Sequence, residues 1–344
     1  MILGLFTLLA TEALAQELSP PDQTEAPQAT LLIQSWLTAW DQDLKSQSDP
    51  SGYGDPEDDP GFKLRRVRAG LLGTDGDFHY GVLFGMSAPA DGVLGGSDAL
   101  EVVDAYGGWD IHRHFGLTAG VQKVPFGREA LVSAKELVFQ ERSVASNHLT
   151  PGREMGVVAS VGPDHMGISL GAFNGNGSIL GDDNAGFLLA ARTQYDRALG
   201  EGVVSVGVNG MYDAGLATEE LGIGVDVALE LGPIAVLAEG IALRMEPTHT
   251  DVTSPGVLGS TQRLGAHLQM AYTIEQWEPA IRVEYFDDDQ DASDNGDILQ
   301  AIVGLTGHFA EDRVRAGAGL VHREELQGKS LANDTARIWL QFHY

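Results

Sequence analysis

The chain has 344 residues, with 49 acids against 21 bases, a formal net charge of −28 and no cysteine. That balance excludes the basic footprint that nucleic acid or an anionic membrane surface requires. The missing thiols remove disulfides, thiolate metal sites and cysteine nucleophiles.

In chain order, Met1 to Ala15 reads as a secretory signal. It has an apolar stretch, Ile2 to Ala10, then the small-residue pattern Ala13-Leu14-Ala15, with cleavage expected before Gln16. Residues 16–29 (QELSPPDQTEAPQA) are acidic and carry three prolines, the composition of a flexible periplasmic leader. No later window holds the ~18 uninterrupted apolar residues of a membrane helix, so any crossing of a bilayer must be made by strands.

Residues 30–344 form a long series of segments of the length that spans a bilayer when strands tilt. The predicted strands are 30–43, 62–73, 77–88, 98–110, 114–123, 153–162, 165–174, 185–196, 201–213, 219–231, 233–246, 260–274, 277–287, 297–309, 312–324 and 334–344. Short and long connections alternate throughout. The short ones include Thr74–Gly76, Pro163-Asp164 and Gly232; the long ones include Leu44–Gly61, Val124–Gly152 and Pro247–Gly259. Tight periplasmic turns and longer external loops have that rhythm, and a soluble sandwich has no physical reason to keep it. The predicted fold is all-β: a sixteen-stranded antiparallel transmembrane barrel.

Alternation inside the strands agrees. Ala336, Ile338, Leu340, Phe342 and Tyr344 point one way, and Arg337, Trp339, Gln341 and His343 the other. Leu221, Ile223, Val225, Val227 and Leu229 likewise oppose Glu220, Gly222, Gly224, Asp226 and Ala228. A period of two with one apolar face is the lipid-out, lumen-in pattern. A final strand ending on an aromatic also resembles that of bacterial outer-membrane proteins. The segment 233–246 departs from the pattern, because Glu239 shares a face with Leu237 and Ile241; a contact between protomers would account for it.

Charge is distributed by position. Leu44–Pro60 holds Asp49, Asp55, Glu57, Asp58 and Asp59 against Lys45, and the run from Asp287 to Asp297 holds six acids and no base. Both fall in predicted loops and read as solvated tips. Asp287, Asp289 and Asp291 begin an EF-hand-like spacing, but Ala292 stands where glycine is needed and Ile298 where the closing glutamate belongs. Bases lie instead on predicted lumen faces: Arg66 and Arg68, then Arg192, Arg263, Arg282, Arg313, Arg315, Arg323 and Arg337. An arginine facing lipid at mid-depth costs about 2–4 kcal/mol, so these should point inward. Two readings stay open: pairing with wall acids such as Asp226 and Glu284, or a path of guanidinium groups that attracts anions.

The longest connection, Val124–Gly152, reads VPFGREALVSAKELVFQERSVASNHLTPG, and Ala130–Arg142 is a candidate helix. Between Lys123 and Arg153 there are five bases and three acids, the one long loop with a positive balance. Phe126, Leu131, Val132, Leu137, Val138 and Phe139 need burial. Folding inward to narrow the lumen satisfies both features.

Four stretches resemble the phosphate-selective porin O/P family. They are Phe62-Lys63-Leu64-Arg65-Arg66-Val67-Arg68; Asp104-Ala105-Tyr106; Gly120-Val121-Gln122-Lys123-Val124-Pro125-Phe126-Gly127-Arg128-Glu129 continuing to Glu141-Arg142; and Gly171-Ala172-Phe173-Asn174-Gly175. The likeness is clearest over residues 62–175. It implies a trimeric outer-membrane porin of a Gram-negative envelope whose third external loop, here Val124–Gly152, folds into the channel. By position it makes Arg66, Lys123, Arg128, Lys135 and Arg142 candidates for the constriction, and Arg68 joins them from the wall reading. The expected function is passive diffusion of small hydrophilic solutes and ions, with an anion or phosphate preference set by these bases. The expected partners are small ions and solutes, outer-membrane lipid and two further copies of the chain, with no nucleic acid. No cofactor, no metal set and no catalysis are expected: no Gly-x-Ser-x-Gly occurs, and neither His148 nor His267 has an evident serine partner. The competing reading is a secreted, acidic, soluble β-rich binding protein.

Overall fold

Alternation decides which way every strand faces. Along residues 221–227 the apolar side chains of Leu221, Ile223, Val225 and Val227 are exposed, Ile223 at 62%, while Asp226 between them is buried at 2%. With the charged row inside and the aliphatic row outside, the sheet can satisfy both only by closing on itself around a polar interior.

The computed structural model describes residues 25–41, 61–87, 97–163, 165–175, 177, 186–215, 218–247, 260–293, 296–328, 330 and 333–344. The expected signal, residues 16–24 of the expected leader and the acidic loop Leu44–Pro60 lie outside them. The strands are β1 (Glu25–Asp41), β2 (Gly61–Asp75), β3 (Phe78–Ser87), β4 (Ser97–His112), β5 (Phe115–Lys123), β6 (Arg153–Val161), β7 (Met166–Phe173) and β8 (Leu188–Leu199). They continue as β9 (Gly202–Ala214), β10 (Thr218–Leu231), β11 (Ile234–Pro247), β12 (Thr261–Tyr272), β13 (Trp277–Asp287), β14 (Ile298–Phe309), β15 (Val314–Glu325) and β16 (Thr335–His343). Each pairs antiparallel with its sequence neighbours, and β1 pairs with β16 to close the barrel. The last bonds of that seam run both ways between the backbones of Leu31 and Tyr344, at 3.1 and 2.9 Å.

β1 begins at Glu25, so residues 25–29 belong to the barrel rather than to a leader. The reason is the length of β2, whose Leu71, Leu72 and Thr74 pair with β3 on one edge and would otherwise leave the other edge open; there they pair with Ala29, Gln28 and Glu25. Arg313, expected on the lumen wall, lies instead in the exposed turn before β15 with its guanidinium over the Tyr344 ring, 5.5 Å from the centroid. Aromatic pairs mark that same rim: Phe78 stacks on Trp109 and Trp277 meets Phe309 edge-on, each at 5.9 Å. A girdle of amphipathic rings belongs where hydrocarbon gives way to headgroups.

The β14–β15 turn holds three consecutive non-glycine residues, Ala310, Glu311 and Asp312, at positive φ (53°, 58° and 68°). Such backbone is costly unless its surroundings fix it. Asp312 supplies the fixing, accepting hydrogen bonds from His308 Nδ1 at 2.6 Å and Arg315 Nε at 2.8 Å. Burial alone would raise its carboxyl, but the bonds from His308 and Arg315 and the Arg315 charge outweigh it and hold Asp312 well below the usual carboxylate range. A depressed folded value gives stability that is full above the unfolded value of about 3.9 and is lost as pH falls through the folded value. Acid unfolding of Asp312→Asn should therefore be flatter below pH ~4 than that of the parent chain, followed by gel mobility or tryptophan fluorescence. Equal acid sensitivity would remove Asp312 as the fastening of this turn.

Candidate functional site: a constriction built by the third loop

Between β5 and β6, the chain turns into the barrel and carries two short helical turns, α1 (Arg128–Leu131) and α2 (Val144–Leu149). Phe126, Val144, Ala145 and Leu149 form one buried apolar cluster with wall residues that include Phe173, Met211, Ile241 and Phe286. The hydrophobicity of the loop is thus answered inside the lumen. His148 lies on the Phe286 ring, 5.6 Å between centroids. α2 rests closely on β12 because position 265 is glycine: a Cβ there would stand 2.5 Å from that of Ala145.

The candidate helix over Ala130–Arg142 is not formed. α1 ends after Leu131 because cations claim its carbonyls. Lys123 Nζ donates to Leu131 O at 2.6 Å and Val132 O at 2.9 Å, and Arg142 Nη2 also donates to Val132 O. Carbonyls satisfied that way need no amide from a following turn.

Charge explains the seat of the loop. Asp226, Glu239, His267, Glu284, Gln300 and Arg323 are direct cross-strand partners in succession, a level row along the inner wall from β10 to β15. The basic loop meets the acidic part of this row. Arg128 pairs with Asp226, which also holds Arg192 at 2.6 Å, and Arg128 Nη2 donates to Ser205 Oγ at 2.6 Å. The backbone N–H groups of Arg128 and Glu129 donate to the Glu239 carboxylate. Val144 N donates to Glu284 Oε2 at 2.6 Å, and Arg282 bridges Glu284 and Glu129 at 2.6 and 3.1 Å. Glu239, which from the sequence suggested a protomer contact, therefore points inward and receives the loop. Its apolar neighbour Ile241 faces inward with it because the loop covers that wall.

On the opposite side, Arg66 donates to Gln34 Oε1 and Gln140 O, both at 2.9 Å, and to Glu141 Oε2 at 2.8 Å. Arg65 joins it on Glu141 at 2.6 Å. The Lys135 carbonyl accepts from Gln341 Nε2 at 2.9 Å, tying the loop to β16. Of the six predicted site residues, Arg68, Lys123 and Arg142 come together, within mutual electrostatic reach and beside Arg153. Arg153 engages Asp104 at 2.8 Å. Lys123 and Arg142 donate to neutral carbonyls, and Arg68 Nε is buried without a hydrogen-bond partner. Burial, the largest influence, lowers the Arg142 guanidinium to about 10; Glu129 opposes and Arg153 reinforces that shift, so it remains cationic at neutral pH. Arg128 is paired with Asp226 and Arg66 with Glu141, whereas Arg68, Lys123 and Arg142 make no ion pair among the described residues and add positive charge to this side of the loop. Among the acidic loop residues, Asp289 N and Asp291 N bond back to Asp287 and Asp289, which makes successive Asx turns rather than a convergent EF-hand ligand set.

Sequence reading missed Arg153 and Asp104 as members of this sector and His267 as a member of the loop's seat. Position on the inward row of β4, β6 and β12 was the available signal.

A closed sixteen-stranded antiparallel barrel with an apolar exterior and an inward-folded, charge-lined loop defines a porin of the Gram-negative outer membrane. The family described as phosphate-selective porin O and P matches residues 42–220, and the chain belongs to it. No curated protein matches the sequence. Among solved structures, the trimer form of in-vitro folded OmpT of Vibrio cholerae is similar at a TM-score of 0.59 and 12% identity, covering 93% of this chain and 99% of that one. The outer-membrane channel DcaP of Acinetobacter baumannii is similar at 0.57 and 16%, covering 93% and 96%. Salmonella typhi OmpF in complex with daunomycin is similar at 0.58 and 12%, covering 94% and 100%. At these identities the likeness is one of fold. The soluble reading fails on the exposed apolar rows.

Proposed function

We propose that this porin passes small hydrophilic solutes and prefers anions, phosphate among them, along the sector formed by Arg68, Lys123 and Arg142. Arg66, Arg128 and Lys135 hold the loop around that sector. The observation that carries the reading is the charge count there. Four cations, with Arg153, gather there, and the acids within their reach are already engaged: Asp104 by Arg153, Glu129 by Arg282, and Glu141 by Arg65 and Arg66. Rings of Arg and Lys favour anions through a pore because each stripped ion recovers part of its lost hydration from fixed donors. Acidic outer loops would oppose entry, but at physiological salt their field decays over ~8 Å. The working unit proposed is a homotrimer, the form in which the similar OmpT structure occurs, and residues 1–15 are proposed as the cleaved export signal.

The test is a planar bilayer under a potassium chloride gradient. The reversal potential is expected to report anion preference, and added phosphate to reduce chloride current. A cation-selective reversal potential would overturn the proposal.

A further inference from the structure

The third loop meets β11 and β12 at a cluster that the anion reading does not use. Glu239 and His267 are direct cross-strand partners, and Glu129 of α1 descends onto them. All three are buried, at 4%, 4% and 2% exposure. One donor atom from each lies within 4.8 Å of the other two. The carboxylates are engaged: Glu129 Oε2 accepts from Ser143 N and Oγ at 2.8 and 2.7 Å, and Glu239 accepts the two α1 amides. Carboxylate oxygens that accept such bonds keep lone pairs. His267 is different: neither Nδ1 nor Nε2 has a hydrogen-bond partner, although the ring is sealed from water. A buried orphan nitrogen carries a full desolvation cost, and proteins rarely leave one uncompensated. A direct bond to either carboxylate would be the ordinary remedy and is not made. A cation among the three groups satisfies the ring and supplies a counter-charge to Glu239, beside Glu129, whose Oε1 Arg282 already pairs at 3.1 Å.

We propose that Glu129, Glu239 and His267 form a site for a first-row divalent cation of the Zn²⁺ class. One imidazole nitrogen with two carboxylate oxygens suits Zn²⁺ and its neighbours, whereas Ca²⁺ takes six to eight oxygens. Tetrahedral bonds of about 2.1 Å space the donors about 3.4 Å apart, a separation that side-chain rotation reaches from here. Three protein ligands leave a fourth position for water. Because the ligands come from β11, β12 and the loop, the cation would pin the constriction to the wall.

The full chain is unfolded, refolded in detergent with Zn²⁺, desalted against EDTA and measured for metal by elemental analysis. About one Zn²⁺ per chain should survive. His267→Ala and Glu239→Gln should each cut it by more than about tenfold while keeping the heat-dependent gel shift of a folded barrel. Failure of the parent chain to retain Zn²⁺ overturns the site, and so does equal retention by both variants, which would move the metal elsewhere, for instance to Asp287, Asp288 and Asp297. Should a variant not fold, the parent chain decides alone. Refolded with Co²⁺, it should show the intense visible bands of a four- or five-coordinate nitrogen–oxygen site, bleached by Zn²⁺; a weak octahedral spectrum overturns the assignment. Neither readout depends on ion selectivity.

Discussion

Asp226→Ala is expected to destabilise the barrel by about 3–5 kcal/mol, the cost of leaving buried charge without its partner. Asp226 is buried on β10 and serves two guanidiniums at once, those of Arg128 and Arg192. Its loss leaves two cations facing each other in a wall closed to water. The damage extends to the loop, since Arg192 also donates to Asn209, which accepts Gly127 N at 3.3 Å at the start of α1. Urea unfolding in lipid vesicles measures the stability, and single-channel records should show a noisier open level as the loop loosens. Arg128→Ala is the comparison. It removes one cation and leaves the Arg192–Asp226 pair intact, so about 1.5–3 kcal/mol is expected. Were Asp226→Ala to cost no more than Arg128→Ala, the shared acid would not be what fastens the loop.

Arg68→Glu combined with Lys123→Glu is expected to turn the proposed anion preference of the channel towards cations. At an effective dielectric constant of 20, two unit charges 4 Å apart interact by about 4 kcal/mol, and about 1.4 kcal/mol is a tenfold change in an equilibrium ratio. Reversing two of the clustered charges should therefore lower the anion-to-cation permeability ratio by more than about tenfold. Arg68→Glu alone is the cleaner probe, because Lys123 also holds the carbonyls of Leu131 and Val132 in place. Arg128→Glu should alter stability far more than selectivity, since Arg128 is bound to Asp226 and Ser205 at the wall and its reversal sets two carboxylates against each other. An unchanged reversal potential in the double variant would remove this sector from the ion path.

The barrel was legible in the sequence because both of its rules are local. A side-chain period of two sorts lipid from lumen, and alternating connection lengths sort turns from loops; the strand β13 (Trp277–Asp287) has its predicted bounds. The inward loop was legible too, from a hydrophobic stretch with excess base in a place where neither suits bulk solvent. Three things were not. The candidate helix over Ala130–Arg142 gave way because Lys123 and Arg142 took the carbonyls, and a side chain reaching from another element leaves no trace in local propensity. Glu239 looked misplaced on an apolar face until the loop that covers that face supplied two amides. Above all, only the tertiary structure divided the arginines. Arg128, Arg192 and Arg282 are spent on Asp226, Glu129 and Glu284, whereas Arg68, Lys123 and Arg142 gather where the acids in reach, Asp104, Glu129 and Glu141, are already held by other arginines. Composition and periodicity decide that an arginine must face inward. Which carboxylate it finds there depends on the register of strands far apart in the chain.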